Sequence, residues 1–160
     1  MVIDSSAVLA ILLAEPERDS FFQAIAADPV RLISSVNALE ASMVIENRNG
    51  KAGGHELDLL FYRSKVEIVA STAEHFEVAR DAWRRFGKGN HPARLNMGDC
   101  FAYALSQVSG ELLLFKGNDF GRTDVAVAPG PGIAPTEPAA GDQAASIAST
   151  RSRKRRKRCR

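Results

Sequence analysis

An α/β fold, with a central, mostly parallel sheet of four to five strands flanked by helices, is predicted by three observations. Short apolar runs alternate with helix-period stretches over residues 1–128, as strands joined by helical crossovers do. The 160 residues are 45% hydrophobic and 25% charged, ordinary for one globular domain with a real core. The composition then breaks near Ala128, where "PGPGIAPTEPAAGDQAASIAST" begins.

The elements follow in order. "MVID" reads as a short buried strand, and "SAVLAILLAE" and "ERDSFFQAIAAD" as helices parted by Pro16. "VRLISS" is a second strand. "VNALEASMVIENRNG" is an amphipathic helix with Leu39, Met43 and Glu46 at helical spacings, ending near Gly50. "GHELDLLFYRSK" is a further helix and "VEIVAS" a third strand. "TAEHFEVARDAWRRFGKG" carries Phe76, Ala79, Trp83 and Phe86 at helical spacings. "NMGDCFAYALSQVSG" follows as a helix, then strand "ELLLF" and a candidate last strand "DVAVA". Leu9, Leu12, Leu13, Phe61 and Tyr62 are expected mostly in the core. No internal repeat is visible.

Residues 129–160 carry too few large apolar groups to offset the entropy of ordering them. They are expected to form a disordered linker and a basic arm. The arm, "RSRKRRKRCR", holds eight of the 21 Lys and Arg. Residues 1–128 carry 13 Lys and Arg against 17 Asp and Glu, a net of −4. The overall charge of +2 is therefore a property of the tail. No segment approaches the roughly 18 apolar residues of a membrane helix, and no secretory signal is visible. Cys100 and Cys159 stand far apart, which argues against a disulfide framework or a zinc ribbon. A cytoplasmic protein with reduced thiols is expected.

Open α/β sheets bind ligands outside the carboxyl ends of their strands. Asp4 ends the first strand, and Glu40 lies in the first turns of the helix after the second. Asp99 opens the helix after "GKGNHPARLN", and Asp119 follows "ELLLF". All four acids fall on the same predicted edge. Ionised together they would repel one another, a conflict that Mg²⁺ or Mn²⁺ removes, since both prefer oxygen ligands. Each acid also has a local explanation. Asp4 is a candidate helix N-cap, although Ser5 and Ser6 would serve as well. Glu40 completes a capping box in "NALE", Asp99 completes one in "NMGD", and Asp119 suits a turn. His55, His75 and His91 lack metal-ligand spacing, and His75 is expected at the surface. The "GKG" at 87–89 lacks the spacing of a nucleotide-binding loop.

Four segments together, "MVIDSSAVLAILLAEPE", "ALEASMVIE", "LNMGDCFAYALS" and "LLFKGNDFGRTDV", resemble the PIN-domain ribonucleases, most of all the VapC toxins of bacterial type II toxin–antitoxin pairs. The resemblance spans residues 1–128. It implies a three-layer PIN-like domain and Mg²⁺- or Mn²⁺-dependent endonucleolytic cleavage of RNA, leaving a 5′-phosphate and a 3′-hydroxyl. It carries the family's catalytic quartet onto Asp4, Glu40, Asp99 and Asp119, with Asp4, Asp99 and Asp119 as metal ligands. Asp124, a nearby fifth acid, is held in second place to Asp119 as its alternative, and Ser6 orients Asp4, bonds a metal water or caps the first helix. A homodimer and a VapB antitoxin partner are implied in the same way. The tail has no counterpart in the usual pattern.

Phosphate contacts near the acidic pocket are expected from Lys88, His91 and Arg94 in the loop before Asp99, and from Lys116 and Arg122 beside Asp119. A solvated loop is the competing explanation. Two other classes compete with a nuclease, a phosphate-handling α/β domain, phosphatase-like or receiver-like, and a noncatalytic RNA-binding protein. A haloacid-dehalogenase-like phosphatase needs Asp-x-Asp after the first strand, where this chain has Asp4-Ser5-Ser6. A response-regulator receiver needs paired early acids and an acid ending its third strand, where this chain has "VASTAE". A noncatalytic protein binding RNA through the basic tail is the third class.

Overall fold

The computed structural model describes residues 1–130. The linker and basic arm expected at 129–160 lie outside the described residues, apart from Pro129 and Gly130. Four strands, β1 (Val2–Ile3), β2 (Leu32–Ser34), β3 (Glu67–Val69) and β4 (Leu113–Leu114), form one parallel sheet in the order β3-β2-β1-β4. Five helices connect them: α1 (Ser5–Leu12), α2 (Arg18–Ala27), α3 (Ser35–Ser64), α4 (Ala73–Phe86) and α5 (Met97–Ser109). The candidate strand "DVAVA" is reduced to a single bridge between Leu113 and Val127. The two helices expected on either side of Gly50 follow one another directly within α3, separated by a break where Gly50 takes the non-helical φ 62° and ψ −157°.

Side chains alternate across the sheet because successive strand residues point to opposite faces. Ile3, Ile33 and Leu114 enter one core with α1, α2 and α3, including Val8, Phe21 and Ile45. Val2 and Leu113 enter the other with α4 and α5, including Phe86, Leu105 and Tyr103. The sheet is thus the middle of three layers.

Sequence periodicity misjudged part of the stripe that two helices turn inward. In α3 the buried positions are Asn37, Ala38, Ala41 and Ile45, while Leu39 and Met43 are 61% and 59% exposed. In α4, His75, Ala79, Ala82 and Phe86 are buried, and Phe76 and Trp83 lie half exposed. Small residues allow each helix to lie close on the sheet, so the larger apolar groups stay outside. His75, expected at the surface, is buried at the start of α4 in a capping box with Thr72. Tyr62 is exposed, whereas its neighbour Phe61 is buried.

The strand order fixes where a ligand can sit. From β1 the chain crosses to β2 on one side, while β4 packs on the other. Connections therefore diverge between β1 and β4, opening a crevice at their carboxyl ends. No helix among the described residues is long and apolar enough to cross a membrane.

Candidate active site

Asp4, Glu40, Asp99 and Asp119 all line one concavity of about 230 Å³ at that crevice, together with Ser6, Asn96 and Lys116. Residues remote in sequence meet there because each stands at a strand end or a helix start. Asp4 directly follows β1, Asp119 follows β4 before a short 3₁₀ turn (Phe120–Arg122), Glu40 lies in the second turn of α3, and Asp99 in the first turn of α5.

Asp4 is 2% exposed and held from both sides. Its Oδ2 accepts from Ser6 N at 2.9 Å and from Ser6 Oγ at 2.6 Å. Its Oδ1 accepts from Asn37 Nδ2 at 3.0 Å. Asp4 is therefore the N-cap of α1 after all, and Ser5 and Ser6 do not replace it in that role. One oxygen caps the helix while the carboxylate as a whole lines the concavity. Ser6 orients Asp4 and also accepts from Lys116 N at 2.9 Å, which ties α1 to the end of β4.

Glu40 is not part of a capping box. Ser34 caps α3 by accepting from Asn37 N at 3.0 Å, so Asn37 is free to turn inward. Asn37 is fully buried; its amide donates to Asp4 Oδ1 and to Gly98 O at 3.1 Å, and its Oδ1 accepts from Ser34 Oγ. Sequence reasoning took Asn37 for a cap and missed this role. The signal was a polar side chain beside Ala38, Ala41 and Ile45, on the stripe that α3 buries. Glu40 instead accepts from Ser5 Oγ at 2.7 Å, a second missed partner.

Asp99 does form the expected capping box. Asp99 N donates to Asn96 Oδ1 at 3.0 Å, and Asn96 N donates to Asp99 Oδ2 at 2.7 Å. Capping and site membership coexist in one side chain. Burial, aided by the charges of Asp4, Asp119 and Glu40 and opposed by the bond from Asn96, pushes the Asp99 carboxyl up to about 7. Burial likewise raises Asp4 above the ordinary carboxylate range, with Glu40 adding to the rise against the bonds from Ser6. These are the marks of acids gathered where water is scarce.

Gly98 lets Glu40 reach the start of α5. A Cβ at residue 98 would stand 2.2 Å from Glu40 Oε2 and 2.9 Å from its Cδ. Gly98→Ala is therefore expected to push the carboxylate out of place, lowering kcat/KM by about tenfold or more while shifting Tm only slightly. The displaced group is the far end of a flexible side chain, so activity rather than stability bears the change. Kinetics and a thermal melt on the same preparation check this.

The remaining candidates divide. Asp124, the alternative to Asp119, is not among the residues that line the concavity. Its Oδ1 accepts from Tyr103 OH at 2.7 Å and its Oδ2 accepts from Arg85 Nη2, a network joining α4, α5 and the last described segment. Lys88, His91 and Arg94 line a separate concavity of about 500 Å³. His91 Nδ1 accepts from Ala93 N, and the ring packs edge-on to Phe86. Arg122 Nη1 donates to Pro92 O at 3.2 Å, fastening that loop to the turn after Asp119. Lys116 Nζ is engaged by Glu15 and Glu17.

Among the described residues, no three His, Cys, Asp or Glu side chains are drawn into a ready-made metal cage. Each of Asp4, Glu40 and Asp99 instead rests on hydrogen bonds of its own. The lining nevertheless offers carboxylate, hydroxyl and amide oxygens, with no thiol or imidazole. That set suits a hard divalent cation that keeps several waters.

The PIN-domain family profile matches residues 1–126. The chain is 54% identical over 126 residues to "Ribonuclease VapC" of Mycolicibacterium smegmatis, covering 79% of this chain and 98% of that protein. It is 51% identical over 126 residues to "Ribonuclease VapC30" of Mycobacterium tuberculosis, covering 79% and 96%. Among solved structures, VapC20 of Mycobacterium tuberculosis, a sarcin–ricin-loop-cleaving toxin, superposes with a TM-score of 0.66 at 18% identity, covering 80% of this chain and 98% of that one. VapBC2 of Rickettsia felis, bound to promoter DNA, superposes at 0.58 and 15% identity, covering 76% and 90%.

Proposed function

The chain belongs to the PIN-domain family, and on that premise we propose that it is a metal-dependent endoribonuclease, the toxin of a toxin–antitoxin pair acting in the cytoplasm. The observation that carries this is the convergence of Asp4, Glu40, Asp99 and Asp119 in one concavity at the β1–β4 crevice.

Asp4, Asp99 and Asp119 would hold Mg²⁺ or Mn²⁺, and Glu40 would act through water or beside a second ion. When bound, such a cation supplies an activated water nucleophile and stabilises the departing oxygen of a phosphodiester. The chain's own residues do the rest. Ser6 and Asn37 fix both oxygens of Asp4. Ser5 and the gap left by Gly98 fix Glu40. Asn96 fixes Asp99. RNA backbone phosphates would be met by Lys88, His91 and Arg94, with Arg122 bracing their loop.

Residues 1–128 form the catalytic domain in this proposal, and 129–160 an appended linker and basic arm. The exposed strip of Leu39, Met43 and Met97 beside the concavity supports a homodimer. The groove between α1, α2 and the end of α3, with Leu12, Phe22 and Leu59 flanked by Arg18 and Arg63, supports docking of a VapB-like antitoxin segment.

Both the full chain and a chain ending at Gly130 are expected to cut single-stranded RNA with Mg²⁺, to stop on chelation, and to recover when Mg²⁺ is restored. RNA binding that disappears with the tail, without any cutting, would favour the noncatalytic alternative.

A further inference from the structure

Lys116 brings to the concavity a cation that the four acids do not use. The residue lines the same space, yet Nζ donates to Glu15 Oε2 at 2.7 Å and to Glu17 Oε2 at 2.9 Å. The two glutamates stand between α1 and α2, and all three side chains are about one-third exposed. The backbone of Lys116 is tied the other way, through Ser6 to Asp4. The lysine is therefore anchored at the acids while its head is drawn to the rim.

A single exposed ion pair contributes little stability. What two acceptors on one ammonium achieve here is position. A lysine stem is long and flexible. Without the glutamates, the anions left to it among the groups lining the concavity are Asp4, Glu40, Asp99 and Asp119. An ammonium lying on those carboxylates would compete with a divalent cation for them. Held at the rim, it faces what enters, and a phosphate oxygen can share it with the glutamates. We propose that Lys116 contacts the phosphate of the RNA at the cleavage site, and that Glu15 and Glu17 are positioning residues that hold its ammonium off the four acids. This rests on the ribonuclease function proposed above.

The test uses the full chain, Mn²⁺ titration by calorimetry at about 0.5 M salt to screen the long-range field, and RNA cleavage kinetics. Lys116→Met is expected to leave Mn²⁺ affinity within about twofold and to lower kcat/KM roughly 10- to 100-fold. Lys116→Arg, which keeps the charge, recovers most of that loss. Glu15→Gln/Glu17→Gln is expected to weaken Mn²⁺ binding about tenfold. Adding Lys116→Met to that pair restores Mn²⁺ binding but not cleavage, a rescue that a merely structural role for the glutamates would not produce. Unchanged Mn²⁺ affinity in the paired variant, or wild-type kcat/KM in Lys116→Met, overturns the proposal. A wild-type protein that binds Mn²⁺ but cuts no RNA would defeat the ribonuclease function instead, and the Mn²⁺ titrations would still judge the glutamate pair.

Discussion

Asp99→Asn is expected to abolish RNA cleavage while raising the thermal stability of the metal-free protein at pH 8. Both effects come from one carboxylate. Loss of an anionic ligand and of its field should lower the rate by at least about 10²–10³-fold, the order found when a group aimed at developing charge is removed. The stability effect follows from linkage. The Asp99 carboxyl is raised from 3.8 to about 7 in the folded chain. The folded state therefore binds the proton more tightly than the unfolded state does. Its stabilising contribution is complete below about 3.8, declines as pH rises, and is gone above about 7. Asparagine is neutral throughout and keeps the oxygen that accepts from Asn96 N. The Tm advantage of Asp99→Asn in chelator should thus be small at pH 5 and reach a few degrees at pH 8. Mg²⁺ should reverse the order, since ligand binding stabilises only the protein that binds it. Paired melts at the two pH values, with and without Mg²⁺, read all of this.

Asn37→Ala should damage stability and catalysis together. The side chain is fully buried, donates to Asp4 and to Gly98 O, and accepts from Ser34. Its removal leaves a buried carboxylate oxygen without its side-chain donor and takes from the Gly98 carbonyl the donor it has beyond its own helix, at a cost of about 2–3 kcal/mol. In a domain of this size that lowers Tm by roughly 6–12 °C. Cleavage should fall about 10- to 100-fold, the usual loss when a residue that orients a ligand is removed. Asn37→Asp separates packing from charge. It preserves shape, yet places a like charge against Asp4, and should be at least as harmful as alanine. Near-normal stability and activity in Asn37→Asp would show that packing alone explains the residue.

The layered fold and all four acids were legible in the sequence because strand ends and helix starts are marked by local chemistry. "MVID" and "ELLLF" announce buried strands that stop at a polar group. "NMGD" announces a capping box, and α5 starts there. The error was to treat capping and function as rivals. Asp4 and Asp99 each cap a helix and also line the concavity, since a helix start offers N–H donors to one carboxylate oxygen while the group still faces the crevice. The inward stripes of α3 and α4 were misread because alanines, not Leu39, Met43, Phe76 or Trp83, face the sheet. Periodicity weighted by size selects the wrong side when close packing requires small residues. Asn37, Ser5 and the Glu15–Lys116–Glu17 cluster were not legible, because they depend on contacts between residues 33 to 101 positions apart.

The central claim is that these four acids bind a divalent cation which the chain uses to cut RNA. Its most direct test is equilibrium titration of Mn²⁺ into the metal-free full chain beside Asp4→Asn, with RNA cleavage measured on the same samples. Wild-type protein should bind Mn²⁺ with release of a proton near pH 7, since Asp99 must ionise to act as a ligand, and Asp4→Asn should lose binding and cleavage together. Absence of Mn²⁺ binding by the wild-type chain, or cleavage that persists undiminished in Asp4→Asn, would contradict it.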